Sequence, residues 1–225
     1  MVTDNVMLLR LFQLISPSLP TGAFSYSQGL EWAVECGWVK DRETLNDWLS
    51  SVLHNSFGEL ELPLLKRLYE AVGNQDQTVF AYWRDFLVAS RETKELRLEE
   101  STRGRAMAAL LRGLDADLGE DWLDLARPCQ AAGFAYAAAM WGIGCRESVL
   151  GYTWSWLENI VMAAIKLVPL GQTAGQIVLT EMADHCSAVV EYGMHCSDDA
   201  IGGACPALAI ASSLHETQYT RLFRS

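Results

Sequence analysis

Val149-Leu-Gly-Tyr-Thr-Trp-Ser-Trp-Leu-Glu-Asn-Ile-Val-Met-Ala-Ala-Ile-Lys-Leu-Val-Pro-Leu170 is the stretch whose reading decides the fold. Val149, Tyr152, Thr153, Trp156 and Ile160 recur at helical spacing, and Pro169 with Gly171 stops the pattern. The remaining positions are also largely apolar, as expected of a helix packed on every side. A membrane span needs about 20 predominantly apolar residues with few charges. This stretch carries Glu158, Asn159 and Lys166, so it reads as a central core helix. The Ala- and Gly-rich run from Pro128 to Cys145 reads the same way.

Outward from this helix the same period returns. Leu8, Leu11, Phe12 and Ile15 form one stripe, and Leu45, Trp48, Leu49, Val52 and Leu53 another, behind Asp41 as N-cap. Val79, Trp83, Phe86 and Leu87 make a further one. No run alternates cleanly with turn signals at both ends, so the chain reads as all-α, a helical bundle of about 8–10 helices. Gly37 and Gly73 are placed to end helices, and Pro63 and Pro128 fit a first helical turn. Ser16-Pro-Ser-Leu-Pro-Thr-Gly22 is a rigid non-helical link. Residues 1–196 read as the helical body. Residues 197–225 read as a mobile Asp/Gly-rich connection and a C-terminal tail of the same domain. Arg91 to Arg105 holds only Leu96 and Leu98 as large apolar residues; Arg91–Glu95 and Glu99–Arg103 at i,i+4 suit a solvated face.

The chain has 225 residues, half of them apolar, and a net charge of −11. That suffices for a full core, and the acidity argues against nucleic acid and against anionic membranes as partners. Met1–Arg10 lacks the pattern of a signal peptide, and six cysteines without CxxC spacing read as reduced thiols in a cytoplasmic protein.

No P-loop, HExxH, GxSxG or dinucleotide-binding turn is present, so neither a catalytic constellation nor a cofactor is expected. His185-Cys186 and His195-Cys196 invite a metal reading, but on one helix a spacing of ten residues is roughly 15 Å, too far for one ion. Met182, His185 and Cys186 share a face as a soft, incomplete ligand set; packing residues near a helix end are the plainer account. His54 and His215 read as structural or interface residues. Lys166 is either a helix-end charge that snorkels outward or a lysine partnered by an acidic group or carbonyls at an interface.

Four motifs resemble, in order, those of the urease accessory protein UreF family. They are Leu14–Glu31 (LISPSLPTGAFSYSQGLE), Arg91–Arg97 (RETKELR), Trp154–Glu158 followed by Ile165–Gly175, and His215–Ser225 (HETQYTRLFRS). Thr220 stands where Ser is usual in the family. The resemblance implies an all-α homodimer without enzymatic activity that bridges the accessory protein UreD (UreH) and the GTPase UreG to the urease apoprotein, so that nickel is installed. Two alternatives stay open: a GTPase activator working through Arg91, Arg97 or Arg103, and a metallochaperone that itself carries nickel. The partner-binding residues expected are Phe24, Tyr26 and Glu31 near the N-terminal link, Lys166, and His215, Glu216, Tyr219, Arg221, Phe223 and Arg224 of the tail. Aromatic and arginine side chains in a short tail are interface types, and such a segment could order only on binding UreD. Small residues in Ala131–Trp141, such as Ala135, Ala138 and Ala139, would serve either a dimer contact or the core.

Overall fold

The structure, a computed structural model, describes residues 2–225, with side chains from Asn5 onward. Eleven α-helices make up the fold, with no strand among the described residues. They are α1 (Val2–Ile15), α2 (Leu30–Glu35), α3 (Arg42–Val52), α4 (Leu62–Gly73), α5 (Gln77–Ala89), α6 (Lys94–Leu114), α7 (Glu120–Ala126), α8 (Gln130–Met140), α9 (Cys145–Leu167), α10 (Gln172–His195) and α11 (Pro206–His215). A π-helical segment, Leu53–Glu61, joins α3 to α4 without a break, so these eleven helices form ten rods. No helix among the described residues is long and apolar enough to cross a membrane.

Helix α9 is central, as its sequence requires. It packs against α1, α2, α4, α8 and α10, and a partly exposed side remains along which Leu150, Met162 and Lys166 reach solvent. Asp41 caps α3 by accepting from Thr44 N at 2.9 Å, while the Thr44 hydroxyl receives the Asp41 N–H in return. Leu45, Trp48, Leu49, Val52 and Leu53 are all buried behind that cap. Ala135 and Ala138 of α8 lie inside this chain's own core, against α4 and α6, so they are not free to form a dimer contact, and Ala139 is half-buried. Gly104 makes that packing possible: a Cβ there would stand 2.6 Å from the Arg127 carbonyl oxygen.

Several local expectations change. Gly73 ends α4 as expected, but the left-handed position after it falls to Gln75, φ 55°. Pro128 sits in the turn before α8, outside the helix. In α1 the apolar stripe divides: Leu11 is buried, whereas Leu8 and Phe12 face solvent together with Val6 and Leu9. The 197–205 connection is pinned rather than mobile. Arg67 donates to Asp198 Oδ1 (2.7 Å) and to the Cys196 carbonyl (2.6 Å), Gly202 N donates to Glu59 O (3.0 Å), and Cys205 is buried.

Candidate partner-binding site

The segment His215–Ser225 folds back across the starts of α2 and α6, and carboxylates organise it. Glu31, in the first turn of α2, accepts from Leu222 N (2.6 Å) and Phe223 N (2.9 Å) and faces His215 Nε2 (3.1 Å). Glu95, in the first turn of α6, faces His215 Nδ1 (2.7 Å) and takes Arg221 Nη1 (2.6 Å). His215 is therefore held on both ring nitrogens while fully buried. Glu216 accepts from Lys94 N (3.0 Å), which places a carboxylate on an otherwise unpaired donor at the positive end of α6.

The far end of the segment locks onto the N-terminal link. Ser27 N donates to Ser225 O (2.7 Å), Arg224 N donates to Ser25 O (2.8 Å), and Ser225 Oγ donates to Glu99 (3.1 Å). The link itself is fixed from below: Asn159 Nδ2 donates to Ala23 O (3.1 Å), and Trp156 Nε1 to Gln28 Oε1 (2.7 Å). Gly29, φ 79°, lies so close to α11 that a Cβ would sit 2.7 Å from Ser212 N. The expectation of a tail that orders only on binding gives way to a strap docked on its own body.

The strap sorts the expected residues into two sets. Glu31, His215 and Phe223 are buried and hold the strap, and Tyr26 is buried beneath the link. Tyr26, one of the partner-binding residues expected, faces the interior instead, because φ 77° at Gly22 and the short helical turn Ala23–Ser25 turn the chain inward after Phe24. Phe24 is 66% exposed, Leu222 64%, and Tyr219 wholly exposed, with Arg221 and Arg224 beside them. The contact found for Lys166 is aromatic rather than acidic: its Nζ lies 5.6 Å from the Phe223 ring centre. Lys166, Phe24 and Glu158 line a cavity between the link and α9, where burial pushes the Glu158 carboxyl up.

A second charged cluster lies inward of the strap. Arg91 pairs with both oxygens of Glu61 (2.9 and 3.0 Å) and with Glu100 Oε2 (2.6 Å), and the Tyr152 hydroxyl donates to Glu61 (2.7 Å). Glu100 Oε1 accepts from Gln130 N (2.7 Å) and from the Cys129 thiol (3.2 Å), capping α8 with a charge. Burial works against the Arg91 cation, but Glu61 and Glu100 outweigh it and hold the guanidinium well above its usual range. Burial likewise raises Glu100, and Arg91 with Arg103 outweighs it and keeps the carboxyl low. Burial and then Glu100 push the Cys129 thiol well up. The solvated-face reading of Arg91–Arg105 is thus overturned. Glu99 and Glu100 are buried, Arg91 reaches Glu61 and Glu100 rather than Glu95, and only Glu99–Arg103 (2.8 Å) is paired as expected. A carboxylate flanked by leucines, Leu60-Glu61-Leu62, is the one sequence signal that could have found this cluster.

A family model described as UreF matches residues 39–183. The chain is 52% identical to the urease accessory protein UreF of Alcanivorax borkumensis, covering 99% of this chain and all of that protein. The chain belongs to the UreF family. It is also 51% identical to the UreF of Pseudomonas entomophila over the whole of both chains, and 44% identical to that of an Enterobacter species over 98% and 99%. Two of the four UreF-like motifs, Leu14–Glu31 and His215–Ser225, lie outside the matched 39–183 span, and they are hydrogen-bonded to each other as link and strap.

The histidine–cysteine pairs do not come together as a ligand set. Met182 and Cys186 point into the core, and burial pushes the Cys186 thiol up to about 11. His195 bonds Glu191 O one turn away (2.9 Å). Among the described residues, no three His, Cys, Asp or Glu side chains converge on a metal-sized site.

Proposed function

We propose that this UreF-family protein is a non-catalytic cytoplasmic scaffold in urease maturation, bridging UreD (UreH) and UreG to the urease apoprotein for nickel insertion. The observation that carries the reading is the strap. Buried Glu31 fixes the strap backbone and Asn159 fixes the link, so Tyr219, Leu222, Arg221 and Arg224 of the strap and Phe24 of the link are presented outward from a pre-ordered platform. Pre-ordering spares binding the entropy of ordering this backbone. The UreD-facing surface is assigned to this platform, with residues 1–196 as its supporting body and 197–225 as the partner-binding element.

The ion pairs weigh against a GTPase activator working through Arg91 or Arg103. Each would have to leave a buried carboxylate partner to reach a phosphate. Homodimerisation belongs to the same reading. With α8 committed to the core, the exposed Val6, Leu8, Leu9 and Phe12 of α1 are the apolar surface offered to a second copy. Light scattering that finds only monomer at tens of micromolar would remove this element.

The deciding experiment is co-purification with UreD, UreG and apo-urease, comparing the full chain with one lacking Thr220–Ser225. The shortened chain is expected to keep its helical circular dichroism and to lose UreD. Unfolding or aggregation of the shortened chain would make the strap a structural brace and sink the interface assignment.

A further inference from the structure

His54 and His185 stand apart from the strap and its partners. The rod formed by α3, the π-helical segment and α4 lies along α10, and it brings the two imidazoles together from opposite sides of that contact. His54 Nε2 and His185 Nδ1 are 3.1 Å apart, with the rings nearly perpendicular at 77°. Ser50 Oγ lies 3.3 Å from the same His185 nitrogen. His54 is exposed and His185 half-buried, so solvent reaches the space between them.

The spacing is that of two ligands on one ion. With metal–nitrogen bonds of about 2.1 Å, neighbouring ligands lie about 3.0 Å apart in octahedral geometry and about 3.4 Å apart in tetrahedral geometry. The observed 3.1 Å falls between these values, so the helices need not move. The two nitrogens now share one hydrogen bond, and an ion would take the place of its proton, which passes to solvent. We propose that His54 and His185 form a two-imidazole chelate for a first-row divalent transition-metal ion, with water filling the remaining positions.

The donor set chooses the class of ion. Imidazole nitrogen suits Zn²⁺, Ni²⁺ and Cu²⁺, whereas Mg²⁺ and Ca²⁺ demand oxygen ligands. The buried Cys186 thiol is turned into the core and supplies nothing. Glu181, one turn before His185, is engaged by Asn46 Nδ2 (2.6 Å) and Arg42 (3.5 Å), so it adds negative potential nearby rather than a ligand. The ion joins two rods through one residue from each, so binding stabilises their contact. With two protein ligands the site is an exchanging one, weaker than a four-ligand structural zinc site.

The test uses the full chain free of any affinity tag, with ZnCl2 and NiCl2 as probes, read by calorimetric titration and by thermal melting. About 100 µM metal is expected to raise the melting temperature by a few degrees, through preferential binding to the folded state. His54→Ala and His185→Ala should each abolish both the heat and the shift, and His195→Ala should leave them intact. A wild-type protein without heat or shift, or single variants that keep both, overturns the proposal. Should a variant fold poorly without metal, paramagnetic Co²⁺ on the wild type decides the matter by NMR. Broadening confined to two of the four histidine rings, those of His54 and His185, supports the site, and any other pattern overturns it.

Discussion

Two charged clusters meet at the first half of α6, made of the same residue types in different surroundings. The inner one, Arg91 with Glu61 and Glu100, lies among the π-helical segment, α8 and α9 and touches the capped end of α8. The outer one, Glu31 and Glu95 with His215 and Arg221, lies at the edge, and half of what it holds is strap backbone. The inner cluster is closed, since every charged partner there comes from the body of the fold. The outer cluster can be opened by lifting one segment, and the side chains it positions face solvent. The contrast teaches that one charged stretch, read as a single face, does two jobs. Its inward residues tie helices together, and its edge residues hold the strap.

The largest effect should come from cutting the inner cluster. Arg91→Ala leaves two buried carboxylates without their cation and is expected to cost about 3–5 kcal/mol in urea unfolding. A cost under about 1 kcal/mol would mean that the cluster is hydrated, and the distinction between the two regions would collapse. Opening the outer cluster is expected to cost less. Glu31→Ala strands two strap N–H groups and one side of His215, about 1–3 kcal/mol, and should make the strap cleavable by trypsin after Arg221. A strap that remains protected would show that Ser27 and Glu99 hold it without Glu31.

Acid should separate the clusters further. Glu100 is held below its ordinary value of 4.5, so its contribution is complete above that value and is lost as pH falls through the lower, folded one. Glu100→Gln should therefore flatten the loss of stability on the acid side, as followed by thermal melts at descending pH. An unchanged slope would place the acid-sensitive group elsewhere. The smallest effects on stability belong to the presented residues: Phe24→Ala and Tyr219→Ala are expected to stay within about 0.5 kcal/mol of wild type while weakening capture of UreD. Equal loss of stability and capture would return these aromatics to the fold.

The sequence alone determined the helices and their class. Stripes at 3.6-residue spacing, the Asp41 cap and the nearly all-apolar α9 follow from local geometry and burial, which a single strand of text records. It also supplied the family, through motifs long enough to be specific. What only the tertiary structure decided are the pairings between distant elements. Nothing within ten residues of Arg91 predicts Glu61, 30 positions away, and nothing near His54 predicts His185, 131 positions away. The sorting of Phe24 from Tyr26, and of Tyr219 from Phe223, likewise depends on which side of a turn meets the body. Charged residues spaced for a solvated helix can equally line a buried seam, because i,i+4 spacing fixes neighbours on one helix and says nothing of what packs against it.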